Sequence, residues 1–436
     1  MKAEFEAREL KSVAGTFKAM QGLLRRAPLF AAAHRLEDGR VMFVCDVDYV
    51  GVHPLLHVKF TLKPAGEVSG LHERKSACFL VSDFVSAVSR AKANDTLTFE
   101  ILPEGGAQVT ANGMKFYLAQ QNDYFTSALW MPEVSNGKIV YDPRKASNFV
   151  YLDELDVVQI KRAFEFVLPA VDPDHPGTRG HMLLEFHGYN CLRVAGTDGR
   201  RIHFADMGMC GKKMLPQDKS ILLAPRVAKI ITQAFSVLEP KFRGPYPVRV
   251  EVSRGRMNYE DDDRIKYACA RFSDATNKLA VYVAFEDNKW INYNSLDWIL
   301  RASDYVSVIL GEEAISKARE FFMNAAKTGK KSDIIPVDFH CLPDSSRIRL
   351  SLNYKGASAS EEIDSHGMNR REFNICMNAR MTADAFSLIR GGECVIFFKN
   401  DDDILVNPYM ITHSDDIGEY TSLIAPIDPE RRPDRR

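Results

Sequence analysis

One segment of this chain is written three times. CFLVSDFVSAV (78–88), ILLAPRVAKII (221–231) and ICMNARMTADA (375–385) share a grammar. Each has a short apolar strand, a small or turn-prone residue at the junction (Ser82, Pro225, Ala379), and then an amphipathic helix. The junctions lie 143 (225 − 82) and 154 (379 − 225) residues apart. Repeats of roughly 20–50 residues build solenoids, whereas a spacing of about 150 is the size of a whole domain. The chain therefore reads as three tandem copies of one fold, at 1–137, 138–288 and 289–427, with a charged tail at 428–436.

Each copy also opens with a helix. Val13, Phe17, Met20 and Leu24 mark one face in the first copy, and Val157, Ile160, Phe164 and Val167 do so in the second. In the third copy a helical region is expected to begin near Leu296 and Trp298 and to continue through 314–327. After the second helix comes period-two alternation: Leu97, Phe99 and Ile101 in one copy, Val248, Val250 and Val252 in the next. Such strands have one buried and one wet face, which suits antiparallel sheet. Turns are expected at Glu104-Gly105-Gly106, Arg254-Gly255-Arg256 and Lys399-Asn400-Asp401. The fold class is α+β, with helices on one face of antiparallel sheets.

Composition narrows the chemistry. Lys+Arg 57 against Asp+Glu 58 leaves a net charge of −1, so contact with nucleic acid must use a local patch and not a general basic coat. The eight cysteines are scattered without CxxC spacing, which predicts a reduced, cytosolic chain. The N-terminus lacks the apolar core of a signal peptide, and no stretch has the length of a membrane span. Two acidic runs, Glu260–Asp263 and Asp401–Asp403, sit in or beside predicted hairpins, where Asp serves turn geometry. His53 and His57 are four apart but lack a third ligand. There is no GxxxxGK[ST], GxSxG or HExxH. No catalytic centre, metal or cofactor is expected.

The chain resembles the bacterial DNA polymerase III β sliding clamp family. VAGTDGRRIHFADM (194–207) is similar to that family's V-A-T-D-G-H-R-L turn, with Arg200 in place of His and Gly196 as an extra residue. HMLLEF (181–186), KSILLAPRVAKII (219–231), YACARFSDA (267–275), SLNYKGASASEEID (351–364), EFNICM (372–377) and EYTSLIAPI (419–427) resemble further family segments in the same order. Ser273 stands where the family has Pro, and Asn277-Lys278 replaces an Arg-Arg pair.

The resemblance implies a non-enzymatic ring. Three domains make half of a six-domain ring, so two chains would close head to tail around duplex DNA, with antiparallel sheets outside and helices inside. MKFYLA (114–119) is similar to the strand the family uses for dimerisation, which implies Phe116 and Leu118 as interface residues. Basic residues on pore-facing helices and loops would hold phosphates loosely: Lys11, Lys18, Arg25, Arg26, Lys161, Arg162, His175, Arg179, Arg226 and Lys229. The family also has a pocket for short apolar peptides between its second and third domains. Its positions here would be Thr197, Gly199, Arg200, Arg201, Ile202, Ser273, Asn277, Lys278, Met377, Leu423, Ile424, Ala425, Pro426 and Ile427. The implied partners are double-stranded DNA, a second copy, a DNA polymerase, an ATP-dependent clamp loader and other peptide-bearing clients in the cytoplasm, with no membrane. The alternatives are a clamp-like scaffold for repair or transcription partners and, in a different class, a metal-dependent nucleic-acid enzyme using the acidic runs.

Overall fold

The computed structural model describes residues 1–24, 28–47, 56–66, 68–69, 76–121, 133–135, 138–141, 149–175, 177–187, 191–208, 219–235, 247–253, 267–274, 278–286, 290, 305–342, 345–366, 372–399 and 407–427. The first copy runs β1 (Lys2–Glu6), α1 (Ala7–Gln21), β2 (Phe30–Arg35), β3 (Val41–Val47), β4 (Leu56–Leu62), β5 (Ser76–Leu80), α2 (Val81–Ser89), β6 (Thr96–Ile101), β7 (Ala107–Ala111) and β8 (Met114–Leu118). A hairpin follows, β9 (Glu133–Ser135) and β10 (Lys138–Tyr141), and the expected boundary at 137 falls between its strands.

The order then repeats. The second copy runs β11 (Phe149–Asp156), α3 (Val157–Val167), β12 (Met182–His187), β13 (Cys191–Thr197), β14 (Arg201–Gly208), β15 (Lys219–Leu223), α4 (Pro225–Phe235), β16 (Pro247–Ser253), β17 (Tyr267–Asp274) and β18 (Leu279–Glu286). The third runs β19 (Tyr305–Leu310), α5 (Glu312–Ala326), β20 (Pro336–Cys341), β21 (Arg347–Tyr354), β22 (Ala357–Asp364), β23 (Phe373–Asn378), α6 (Ala379–Ser387), β24 (Cys394–Lys399), β25 (Tyr409–Ser414) and β26 (Gly418–Ile424). Apart from two short 3-10 turns after α3, each copy is strand, helix, four strands, helix, three strands. The opening helix of the third copy is α5; Leu296 and Trp298 lie outside the described residues.

Local chemistry sets the helix starts. Pro225 opens α4, where its missing N–H would have had no helical partner. Asn378 caps α6, its side chain accepting from the amides of Arg380 and Met381. Buried Leu10, Val13, Phe17 and Met20 form the core face of α1.

The chain forms two compact units that do not follow the repeat. The first contains Met1–Lys161, Phe186–Asn190 and Met209–Asn288; the second contains Arg162–Glu185, Cys191–Gly208 and Lys289–Arg436. The cut passes through the second copy because sheets run on across the copy boundaries. In the first unit one sheet has the order β11-β16-β17-β18-β4-β3-β2-β5, so β18 of the second copy pairs antiparallel with β4 of the first. In the second unit β12-β13-β14-β26-β25-β24-β19 are neighbours, so β14 pairs antiparallel with β26 of the third copy. These two pairings are the seams between successive copies. Each unit also holds a separate four-stranded sheet, β1-β6-β7-β8 in the first and β22-β21-β20-β23 in the second.

Each unit has its own core. Phe5, Phe43, Phe79, Phe84 and Phe99 pack together in the first. In the second, Phe322 of α5 stacks on Phe386 of α6 at 5.8 Å, among the buried residues of β20, β21 and β24. Among the described residues, no helix is long and apolar enough to cross a membrane.

Candidate functional site

The turn between β13 and β14 is held by its own side chains. Thr197 Oγ1 donates to the Arg201 carbonyl (2.7 Å) and accepts from the Gly199 amide (3.0 Å). Asp198 Oδ1 accepts from the amides of Arg200 (2.9 Å) and Arg201 (3.1 Å). Gly199 has φ +85°, a conformation that disfavours any residue with a Cβ. Arg201, 10% exposed, donates to Asp198, to Asp384 of α6 (2.6 Å) and to the Pro169 carbonyl. It therefore ties the turn to α6 and to the segment after α3. Gly196, an extra residue by sequence comparison, has a packing reason: a Cβ there would come 2.6 Å from Val167.

An apolar row starts at this turn. Ile202 lies opposite Leu423, Leu423 opposite Met410, and Met410 opposite Phe397, so the row crosses β14, β26, β25 and β24. Leu423 and Met410 are buried, and Ile202 and Phe397 pack against them half-exposed, apart from the main core of the unit. Beyond β26 the chain stays anchored, with the Ala425 amide on the Arg200 carbonyl and the Ile427 amide on that of Cys376. Ala425 is exposed, and Pro426 and Ile427 are half-exposed beside the row.

Not every expected residue joins it. Met377 and Ile424 are fully buried in the core of the second unit. Their side chains point to the opposite face of their strands, as period-two alternation requires. Ser273 and Lys278 belong to the first unit. Ser273 is 3% exposed within β17, and Lys278 pairs with Glu9 at 2.7 Å. Asn277 lies outside the described residues. Met410 and Phe397 escaped the sequence reading. The strand–turn–strand alternation of 394–414 could have found them, but no motif marks those positions.

The two seams have opposite polarity. At β14–β26 the helix-facing side carries His203 opposite Ser422 and Ala205 opposite Tyr420, and the other side carries Ile202 and Leu423. At β4–β18 the helix-facing side is apolar: Phe60 opposite Leu279 and Val58 opposite Val281, with Phe60 6.1 Å from Phe17 of α1. Its other side carries a polar ladder across five strands: Asp46, His57, Tyr282, Arg271 and Glu251. Asp46 bonds His57, His57 meets the Tyr282 ring edge-on, and Arg271 pairs with Glu251.

Behind the apolar row, Phe166 of α3 packs on His203, His413 and Tyr420 at 5.1, 5.7 and 5.1 Å. His203 donates from Nδ1 to the Phe166 carbonyl (2.8 Å). Burial, aided by the Arg201 charge, pushes its pKa down to about 3. Burial and Arg162 lower that of His413 to about 4. Both rings are neutral at pH 7, and their Nε2 atoms are buried without a partner.

Among the strands that end a sheet are β8 in the first unit and β22 in the second. On β8, Met114 and Tyr117 are exposed, Phe116 is half-buried under Arg90, and Leu118 is buried at 1%. Leu118 is thus a core residue of its own unit and is not available to an interface. On β22 every residue from Ser358 to Glu362 is exposed, and Ile363, next to the strand's end at Asp364, is buried. Between β22 and α5 lies a cavity of about 460 Å³ lined by Phe321, Ala325, Leu352, Ala357 and Ala359, with Lys317, Glu320 and Glu361 at polar positions.

This architecture has close structural counterparts. The structure is similar to the DNA polymerase sliding clamp of Bacillus subtilis, with 13% identity, coverage of 98% of this chain and 99% of that one, and a TM-score of 0.67. It is similar to the DNA polymerase III beta subunit of Thermotoga maritima, with 17% identity, coverage of 98% and 99%, and a TM-score of 0.67. The chain has the sliding-clamp fold. A third counterpart is the Helicobacter pylori beta clamp in complex with 3,4-difluorobenzamide, with 13% identity, coverage of 98% and 100%, and a TM-score of 0.65. The sequence matches no protein-family model and no curated protein sequence.

Within this clamp fold the basic candidates separate into two groups. Lys18 on α1 and Arg226 and Lys229 on α4 are exposed, and Lys11 is half-exposed. α1 and α4 approach closely where Gly15 backs onto Gln233, a Cβ at Gly15 coming 3.0 Å from that side chain. α4 carries no acidic residue, so the charges on its exposed face, Arg226 and Lys229 beside the neutral Gln233, are all basic. Lys161 and His175 are half-exposed. Arg162, by contrast, is 3% exposed. It donates to the Leu388 carbonyl at the end of α6 (2.6 Å), approaches Asp415 at 3.5 Å and lies over the Tyr420 ring. It caps a helix C-terminus and cannot reach a phosphate. The guanidinium of Arg179 packs on Gly199, at the apolar site and not on a helix face. Arg25 and Arg26 lie outside the described residues.

Proposed function

We propose that the chain is a DNA sliding clamp: a non-enzymatic processivity factor that encircles duplex DNA as a head-to-tail homodimer. It would tether a replicative polymerase and other clients through the apolar row and the Thr197–Ile202 turn. Tethering raises local enzyme concentration, so a polymerase that lets go rebinds before diffusing away.

The observation that carries this reading is an unfinished pattern. β4, β14 and β22 occupy the same place in successive copies, as do β8, β18 and β26. β4 pairs with β18 and β14 with β26, which leaves β22 and β8. A second copy supplies the missing partner for each, antiparallel like the other two, and closes the edges that would otherwise invite aggregation. The chemistry of the two edges matches. β8 offers Lys115 on one face and Met114 and Phe116 on the other. β22 offers Glu362 and Asp364, with the cavity beside Phe321 and Ala359 open to apolar side chains.

Phosphates would be held by Lys11, Lys18, Arg226 and Lys229 without reading bases, as sliding demands. The sequence has no ATP-binding loop, so ring opening would rest with a separate ATP-dependent loader, in the cytoplasm. The test is retention on nicked circular DNA before and after linearisation, with the loader present. A topological ring stays on the circle and runs off the linear form; equal retention on both would rule the reading out.

A further inference from the structure

On the helix-facing side of the β14–β26 seam, a patch of buried polar side chains finds too few partners within the protein. Among the described residues, ten buried side-chain polar atoms have no hydrogen-bond partner. Six of them meet here: Arg162 Nε and Nη1, His203 Nε2, His413 Nε2, Tyr420 Oη and Ser422 Oγ. None of the ten lies on β4 or β18, where the same side carries Val58, Phe60, Leu279 and Val281. All five residues of the patch are less than a tenth exposed. His203 faces Ser422 across the seam, and His413 faces Tyr420 on the next pair of strands and stacks on it at 4.7 Å. Phe166 packs on His203, His413 and Tyr420, and Arg162 lies over the Tyr420 ring, so α3 closes the patch from above. Native folds seldom leave so many polar atoms dry in one place, because each would forfeit its hydration for nothing.

We infer that the patch is a binding site for a small cluster of buried water molecules that bridges α3 to β14, β25 and β26. The inventory of donors and acceptors selects water. His203 gives its Nδ1 proton to the Phe166 carbonyl, so its Nε2 can only accept. Arg162 Nε and Nη1 can only donate, and the hydroxyls of Ser422 and Tyr420 can do either. An anion would satisfy Arg162 but would set its lone pairs against that of His203, and Arg162 already has Asp415 at 3.5 Å. A cation meets the reverse difficulty at Arg162. Among the described residues, moreover, no group of three His, Cys, Asp or Glu is placed to hold a metal. Water donates to His203 and accepts from Arg162, and one molecule serves two to four partners at once. The seam between the second and third copies is thus wet on its inner side, whereas the one between the first and second is dry. His203 and Ser422 adjoin Ile202 and Leu423 on the same two strands, so these waters stand directly behind the apolar row.

Diffraction from crystals of the full chain, one of them grown in bromide, tests the site directly. Solvent peaks should lie within hydrogen-bond distance of His203 Nε2, Ser422 Oγ and Arg162 Nε, with no anomalous signal from bromide. A dry patch overturns the inference, and so does a bromide peak, which would make the occupant an anion. Stability gives a second reading, because wet and dry patches respond oppositely to an apolar replacement. Ser422→Ala and His413→Phe should each lower the urea midpoint at pH 7 by roughly 0.3 M, the loss of about one hydrogen bond. His413→Gln should recover most of that loss, since its amide can still bond the same water. In a dry patch the apolar variants would instead relieve an unsatisfied group and raise the midpoint. A midpoint that rises or holds in either apolar variant, or a Gln variant no better than Phe, overturns the inference.

Discussion

Ile202 and Leu423 face each other across the β14–β26 seam, on the side of the sheet away from α3. The corresponding pair across β4–β18 is His57 and Tyr282. The same position in two copies of one fold is apolar at one seam and polar at the other. An apolar anchor gains by burying area against Ile202 and Leu423, whereas at His57 it would strip water from the Asp46–His57 and Arg271–Glu251 pairs without replacing it.

Truncating this pair should therefore weaken client binding more than it weakens the fold. Ile202→Ala is expected to reduce peptide affinity about tenfold or more, as for a central interface anchor. It should cost only ~1 kcal/mol of stability, because the side chain is half-exposed already. Titration with a short synthetic peptide bearing leucine and phenylalanine side chains, alongside thermal melts, checks this. A large loss of stability with unchanged affinity would place Ile202 in the core and not in the site.

Closure through β8 and β22 makes a second prediction. Glu362→Lys is expected to weaken self-association at least tenfold, by placing like charges together, and Lys115→Glu in the same chain should restore much of it. Phe116→Asp should weaken it further, by taking a charge into the cavity beside Phe321. Sedimentation at micromolar concentration distinguishes dimer from monomer. A dimer indifferent to all three changes would put the interface elsewhere.

How far these features could be read in advance depended on whether a local signal existed. The strand–helix junctions were visible because Pro225 and Ala379 begin their helices and Val81 directly precedes Ser82. The T-D-G turn was visible because Thr197, Asp198 and Gly199 build it from their own side chains and backbone. The fused sheets were not visible, since pairing of β14 with β26 brings together residues more than 200 positions apart and no local pattern encodes it. Arg162 was misread for a related reason. On α3 it looks like part of a solvated basic face beside Lys161, and only the distant Leu388 carbonyl and Asp415 turn it inward. Met410 and Phe397 were missed because their alternation alone does not say which face is free.

Acid should destabilise the second unit. His203 and His413 have pKa values of about 3 and about 4 when folded, against an ordinary value of 6.5. The unfolded chain therefore binds protons first as pH falls. The stability from keeping these rings neutral is complete above pH 6.5 and is lost progressively from there down through about 4. Each ring contributes a slope of at most ~1.4 kcal/mol per pH unit in that window. Urea midpoints at pH 7 and pH 5 should show the fall, and His413→Gln should roughly halve the slope. An unchanged slope in that variant would mean that His413 is already charged in the folded protein.

The basic residues on α4 and the buried Arg162 should fail in different ways. Arg226→Gln and Lys229→Gln remove exposed charges from a helix face without acidic neighbours, so folding should be unaffected. Each should lower the salt dependence of DNA retention by about one counterion and weaken retention equally on all sequences. Arg162→Ala leaves Asp415 and the end of α6 without their cation inside the second unit, and it removes the side chain packed on Tyr420. Its expected cost is ~3 kcal/mol or more of stability, read as a lower urea midpoint with no change in the salt slope of whatever folded protein remains. A variant at Arg162 that melts like the unmodified protein but loses a unit of salt slope would return this residue to the DNA-facing surface and remove its role as the cap of α6.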